Sequence, residues 1–250
     1  MAGTITLYKN AALTQELSDQ AWTQSILLPT VSLPLSGVTT SSGVAGYALN
    51  TGVTTMLDVY LQPVASTGLN GTSFVSNLQI AADVNGSPGS YGGLGTSVLI
   101  YNGEFSPSQS EPVANTADPV ISNPGSAPTL SAISGTTNLG AGTYSVAYSY
   151  KNAGGETLIS PKSTITISSG QAVRVASVGL ITNATGVNYY LSAIPGQTNT
   201  FLANSNANGA QIDLDKVRGF AKFWVRQQVG SSDPTGVYQA QLTVSSVDIG

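Results

Sequence analysis

Apolar and polar residues alternate with a period of two in short runs along this chain, the pattern of half-buried β-strands. Residues 5–8, 56–61, 75–84 and 97–101 read this way in the first hundred positions, with Leu78 and Ile80 on one face of the third run. A turn at Asn50-Thr51-Gly52 precedes the second run, and the Gly- and Ser-rich stretch 85–95 reads as a long loop. One short helix is expected over 13–22, with Thr14 or Ser18 as its cap. From 102 to 128 the texture changes. Five of the twelve prolines fall there, Pro107, Pro112, Pro119, Pro124 and Pro128. Proline cannot donate to a ladder and stiffens an extended chain, so this stretch reads as a semi-rigid connector containing a domain boundary.

Residues 129–215 carry the most regular pattern. Thr143 to Tyr150 alternates strictly, with Tyr144, Val146, Tyr148 and Tyr150 on one face. Asn152-Ala-Gly-Gly-Glu156 has the residues that close a hairpin, and 157–160 returns from it. Further strands are expected at 129–133, 163–167, 171–176, 187–193 and 201–203. About seven short strands with turn residues between them indicate an antiparallel sandwich of immunoglobulin or fibronectin-III type. The C-terminal part is again strand pairs. Phe223, Val225 and Val229 point one way and Lys222, Trp224 and Arg226 the other. A turn at 231–236 leads to a second alternating run at 237–247. The expected fold is therefore all-β, with two antiparallel β-sandwich domains.

Composition narrows the chemistry. The chain has no His and no Cys, and only 8% of its residues are charged. That excludes a Ser-His-Asp triad, a thiol nucleophile, disulfides and zinc–thiolate sites. Its net charge of −4 argues against nucleic-acid binding. No apolar run spans a bilayer, and the N-terminus carries no export signal. Charge is unevenly placed, with no Lys or Arg between Lys9 and Lys151. Residues 1–122 are net acidic, 123–215 neutral and 216–250 net basic. We therefore expect a first domain of 1–122 completed by 216–250, with 123–215 inserted into it behind a Pro-rich lead-in.

Candidate chemistry is sparse. Asp213 and Asp215 share a strand face about 7 Å apart. They read either as a Ca²⁺ or glycosidase pair or as a polar strand end neutralised by Lys216 and Arg218. Glu104, Glu111 and Asp118 read as part of a solvated linker, and Asp83-Val-Asn85-Gly86 as a turn. Gly92 to Gly95 lacks the lysine and helix of a phosphate loop. Lys216, Arg218, Lys222, Trp224 and Arg226 form the one basic cluster, an interface that reads either as a stacking surface for nucleic acid or sugar or, the favoured reading, as one meeting an acidic neighbour in this chain or another subunit. Tyr189 and Tyr190 read as contact aromatics for a glycan or as sandwich core. No catalytic, cofactor or metal residue is expected.

The stretch Leu139-Gly-Ala-Gly-Thr-Tyr-Ser-Val-Ala-Tyr-Ser-Tyr-Lys-Asn-Ala-Gly-Gly-Glu-Thr-Leu-Ile-Ser-Pro161 resembles the immunoglobulin/fibronectin-like modules of tailed-bacteriophage virion proteins, and Thr185-Gly-Val-Asn-Tyr-Tyr-Leu-Ser192 is similar to a later strand of them. Phe223-Trp-Val-Arg and 234–244 are similar to the closing hairpin of surface-exposed β-sandwich modules. The resemblance covers about 90 residues well and the end of the chain loosely. It implies a non-enzymatic structural part of a virion (tail, baseplate, fibre or head decoration), made in the host cytoplasm. Its implied partners are other virion proteins and copies of itself, with weak contact to host-surface glycans. The rival reading is a bacterial surface or adhesion module that binds carbohydrate.

Overall fold

The computed structural model describes residues 5–10, 13, 16, 38–64, 78–93, 95–135, 137–230 and 241–248. Among the described residues the fold is all-β, built of antiparallel ladders, with no helix present. The helix expected at 13–22 lies mostly outside them. The two positions that are described do not support it: Leu13 has φ of 55° and Glu16 bridges Tyr8. The turn at 231–236 and residues 75–77 also lie outside. The chain divides into two compact units, residues 1–107 with 221–250, and residues 108–220.

In the first unit, β1 (Ile5–Tyr8), β3 (Val44–Asn50), β16 (Phe220–Gly230), β5 (Leu78–Val84) and β6 (Ser87–Pro88) form one sheet in that order, with β2 (Val38–Thr40) also paired to β16. The second sheet is β17 (Gln241–Asp248), β4 (Met56–Val64) and β7 (Val98–Phe105). Leu7, Ala48, Ile80, Phe223 and Val225 of the first sheet share one core with Met56, Val59, Leu61, Ile100 and Phe105 of the second. Asn50 is fully buried, and its amide donates to Phe105 O at 2.7 Å and Thr54 O at 3.0 Å. That satisfies a polar group the core would otherwise penalise. The loop expected at 85–95 is partly ordered into sheet. Asn85 and Gly86 have φ of 52° and 87° and close a hairpin between β5 and β6, while Gly92 bridges Ile80.

The second unit faces two sheets across one core. One holds β10 (Gly155–Glu156), β9 (Gly142–Asn152), β13 (Gly186–Ser192) and β14 (Thr200–Asn206), with β11 (Ser163–Ile167) also on β9. The other is β15 (Ile212–Leu214), β12 (Gln171–Val175) and β8 (Leu130–Ser134). Tyr144, Val146, Tyr148 and Tyr150 point inward together, against Val173, Val175 and Leu214. The return at 157–160 is irregular. Thr157 and Ser160 place their hydroxyl oxygens where a ladder acceptor would stand, receiving the amides of Tyr150 at 3.0 Å and Tyr148 at 3.2 Å.

Two expectations need correction. Strict alternation in β9 implied one solvated face, yet Ser145, Ala147 and Ser149 are buried as well. Their small side chains admit a polar outer layer that includes Gln109, Glu156 and Gln197. The second correction concerns residues 108–122, which are packed structure rather than a solvated linker. Ala117 and Ile121 enter the core of the second unit. Gln109 O accepts Leu202 N–H at 2.8 Å, and Ser110 bridges Phe201, covering the edge of β14. The unit boundaries thus fall at 107 and 220 rather than 122 and 215, and Val217 and Phe220 also pack against that core.

Candidate functional site

The period-two backbone of β16 sends Ala221, Phe223 and Val225 into the core of the first unit and leaves Lys222, Trp224 and Arg226 half-buried on the outer face. Register sets their neighbours: Trp224 lies opposite Ala81 and Arg226 opposite Gln79 on β5. The small Ala81 makes room for the indole. Asp83, at the end of β5, organises the group. Its Oδ1 accepts Trp224 Nε1–H at 2.7 Å and lies 3.1 Å from Lys222 Nζ, while its Oδ2 accepts Gly86 N–H at 2.9 Å. The Asp83 side chain is only 7% exposed, so its charge is held by these donors rather than by water.

Two cations sit on aromatic faces. Lys222 Nζ is 4.2 Å from the Trp224 ring centroid, and Arg226 Cζ is 3.6 Å from that of Tyr91. Arg226 Nε–H also donates to Gln79 Oε1 at 2.7 Å. Burial raises the Tyr91 hydroxyl above its ordinary value against the opposing pull of Arg226, and burial together with the Asp83 charge raises that of Tyr47. Gly43 lies close beside them: a Cβ there would stand 2.3 Å from the Tyr91 hydroxyl, so the tyrosine would have to shift. The result is an aromatic–cation surface, with an acidic residue of the same unit already serving Lys222 and Trp224.

The other sequence candidates separate. Lys216 and Arg218 belong to the second unit, half-buried after β15, with Arg218 N–H donating to Leu202 O at 3.0 Å. Tyr189 and Tyr190 are both 0% exposed, so neither ring can stack on a sugar. Tyr189 faces the core; Tyr190 faces the opposite side, and its hydroxyl donates to Glu156 Oε1 at 2.5 Å. Ser149 Oγ donates to the same oxygen, and Gln109 Nε2 to Glu156 Oε2 at 3.2 Å.

Asp213 is neutralised across the sheet by Arg174, not by Lys216 or Arg218. The contact is bidentate, at 2.7 and 2.9 Å, and the strand register places the two residues opposite each other. The hydrogen bond from Arg174 holds the Asp213 carboxyl below its usual range despite opposing desolvation. With both oxygens occupied, Asp213 is poorly placed as a metal ligand or glycosidase carboxylate. Asp213 and Asp215 instead line a shallow exposed depression with Ile133, Ala172 and Arg174. No group of carboxylates among the described residues is arranged to hold a metal ion.

Sequence reasoning did not single out Gln79, Tyr91 and Glu156, and it took Asp83 only as part of a turn. A tyrosine alone in the Gly-rich run 89–95 was a usable signal for Tyr91, because a large side chain there must find a surface to lie on. No family model, curated protein or solved structure matches the chain.

Proposed function

We propose that this chain is a non-enzymatic structural component of a tailed-phage virion, assembled by contacts with other virion proteins and with its own copies. One observation carries the reading. The stretches that resemble virion modules, 139–161 and 185–192, form adjacent strands: β9 pairs with β10 and with β13. The resembling residues therefore make one continuous piece of sheet. We assign the second unit to the immunoglobulin/fibronectin class on its strand order, β11 or β10, β9, β13, β14 facing β12 and β8. Composition supports the same reading. A chain without Cys is indifferent to the change of redox compartment between synthesis and release. Lys162, Arg174 and Lys222 are committed to internal carboxylates, which favours an uncharged surface that is cheap to desolvate against a neighbour.

Mass spectrometry of particles purified from a lysate of the source strain tests this. The chain is expected in the particle at a fixed ratio to the major structural proteins. Its absence from particles together with recovery from the cell surface would overturn the reading in favour of an adhesion module.

A further inference from the structure

We propose that Asp58 guards the exposed Asn102–Gly103 peptide against spontaneous cyclisation, making Asn102 a latent deamidation site. In the β4–β7 ladder, Leu57 pairs with Glu104 and Val59 with Tyr101. Asp58 alone therefore opposes two residues, Asn102 and Gly103, and the strand bulges. Gly103 takes φ of 91° and Asp58 φ of 49°, and the Asp58 carboxylate accepts Gly103 N–H at 2.7 Å.

That amide nitrogen is the nucleophile of the reaction. Cyclisation requires it to give up its proton and attack Cγ of Asn102. The new N–Cγ bond forms as the Cγ–Nδ2 bond breaks, and ammonia leaves carrying the proton. Water then opens the imide at either carbonyl, to aspartate or isoaspartate. A carboxylate bonded to the N–H opposes the first step twice: the bond must be broken, and a negative charge disfavours a second one forming beside it. Asn102 is itself exposed, so burial does not shield its Cγ. The same device recurs in this unit at Asn85–Gly86, where Asp83 Oδ2 holds Gly86 N–H at 2.9 Å.

Ageing the full chain at mildly alkaline pH, with peptide mapping of each Asn-Gly site, tests the assignment. Asp58→Gly removes the carboxylate while tolerating the left-handed backbone. Conversion at Asn102 should then rise roughly tenfold, as loss of a charge-assisted hydrogen bond implies, with Asn85 unchanged. Asp58→Asn keeps an acceptor oxygen and should convert more slowly than Asp58→Gly. The proposal fails if Asn102 converts no faster in Asp58→Gly, if Asn85 accelerates with it because the unit has loosened, or if the Asn and Gly variants age alike.

Discussion

Trp224 and Asp83, 141 positions apart in the chain, are joined by an indole N–H···Oδ1 hydrogen bond of 2.7 Å. The bond fixes the outer surface of the first unit, because the same carboxylate also holds Lys222 and the Gly86 turn. Trp224→Phe keeps a ring under the Lys222 ammonium but removes the donor, and should cost about 2 kcal/mol. Asp83→Ala strands three donors at a nearly buried position and should cost more, about 3 kcal/mol. Urea unfolding of both variants measures the order. Equal losses would mean that the indole bond carries the whole effect.

Glu111 is the acid-sensitive tie of the second unit. One carboxylate oxygen accepts Lys162 Nζ at 2.6 Å, Thr200 N–H at 2.8 Å and Thr200 Oγ1–H at 2.7 Å. Burial alone would raise this carboxyl, but the hydrogen bonds from Lys162 and Thr200 outweigh it and hold the value below the ordinary 4.5. A depressed folded value contributes stability that is full above the unfolded value and is lost as pH falls through the folded one. Glu111→Gln should therefore be less stable than wild type by about 2 kcal/mol at neutral pH. The gap should close as both are melted at progressively lower pH below 4.5. A gap independent of pH would assign the loss to packing instead.

The inward faces of β9 and β16 were legible because a strand has a fixed period of two, and the bulky residues of 143–150 and 221–225 follow it. Strand β3 was not. Its Val44-Ala-Gly-Tyr-Ala-Leu-Asn50 carries too few large apolar residues to stand out, and the reason lies on another strand. The Phe223 ring lies 2.4 Å from where a Cβ on Gly46 would stand. Sequence reading also placed an acidic partner for the basic cluster in the N-terminal part of the chain as one alternative, without identifying Asp83. The Pro-rich segment was misread because proline content reports what a backbone cannot donate, not what its side chains meet. Glu111 meets Lys162 and Thr200 through tertiary structure, 51 and 89 positions along the chain. The glycan candidates Tyr189 and Tyr190 rested on side-chain type, whereas their exposure, which belongs to tertiary structure, is zero.

Gly154 is required where the β9–β10 hairpin meets residues 115–119. A Cβ there would lie 2.5 Å from Asp118 Cβ and 2.7 Å from Asp118 N and O. Two of those atoms are backbone, so a rotamer change cannot relieve the clash. Asn152 closes the contact from the other side, donating to Pro119 O at 2.8 Å and accepting Asp118 N–H at 3.2 Å. Gly154→Ala should push the 115–119 segment off the hairpin at a cost of about 2 kcal/mol. Limited proteolysis should then cut within 108–122 faster than in wild type. Unchanged protection at a lowered melting point would place the strain in the hairpin alone.

The tyrosine core should make the second unit fail in alkali. Burial, reinforced by neighbouring tyrosines, pushes the hydroxyls of Tyr148 and Tyr189 up to about 12 from 10.0. Burial and the bond to Glu156 raise Tyr190 further. A raised folded value means that the unfolded chain releases the proton first. The contribution to stability is therefore full below 10 and declines as pH rises from 10 toward 12. After a pH jump into that window, the buried tyrosines of the second unit should ionise only as the unit opens. The slow phase of tyrosinate absorbance should match the loss of β-sheet circular dichroism in rate. Tyr190→Phe should lower its amplitude, because one buried hydroxyl is gone. A tyrosinate signal that completes while the sheet signal persists would show that these hydroxyls reach solvent in the folded chain, against the burial of Tyr189 and Tyr190.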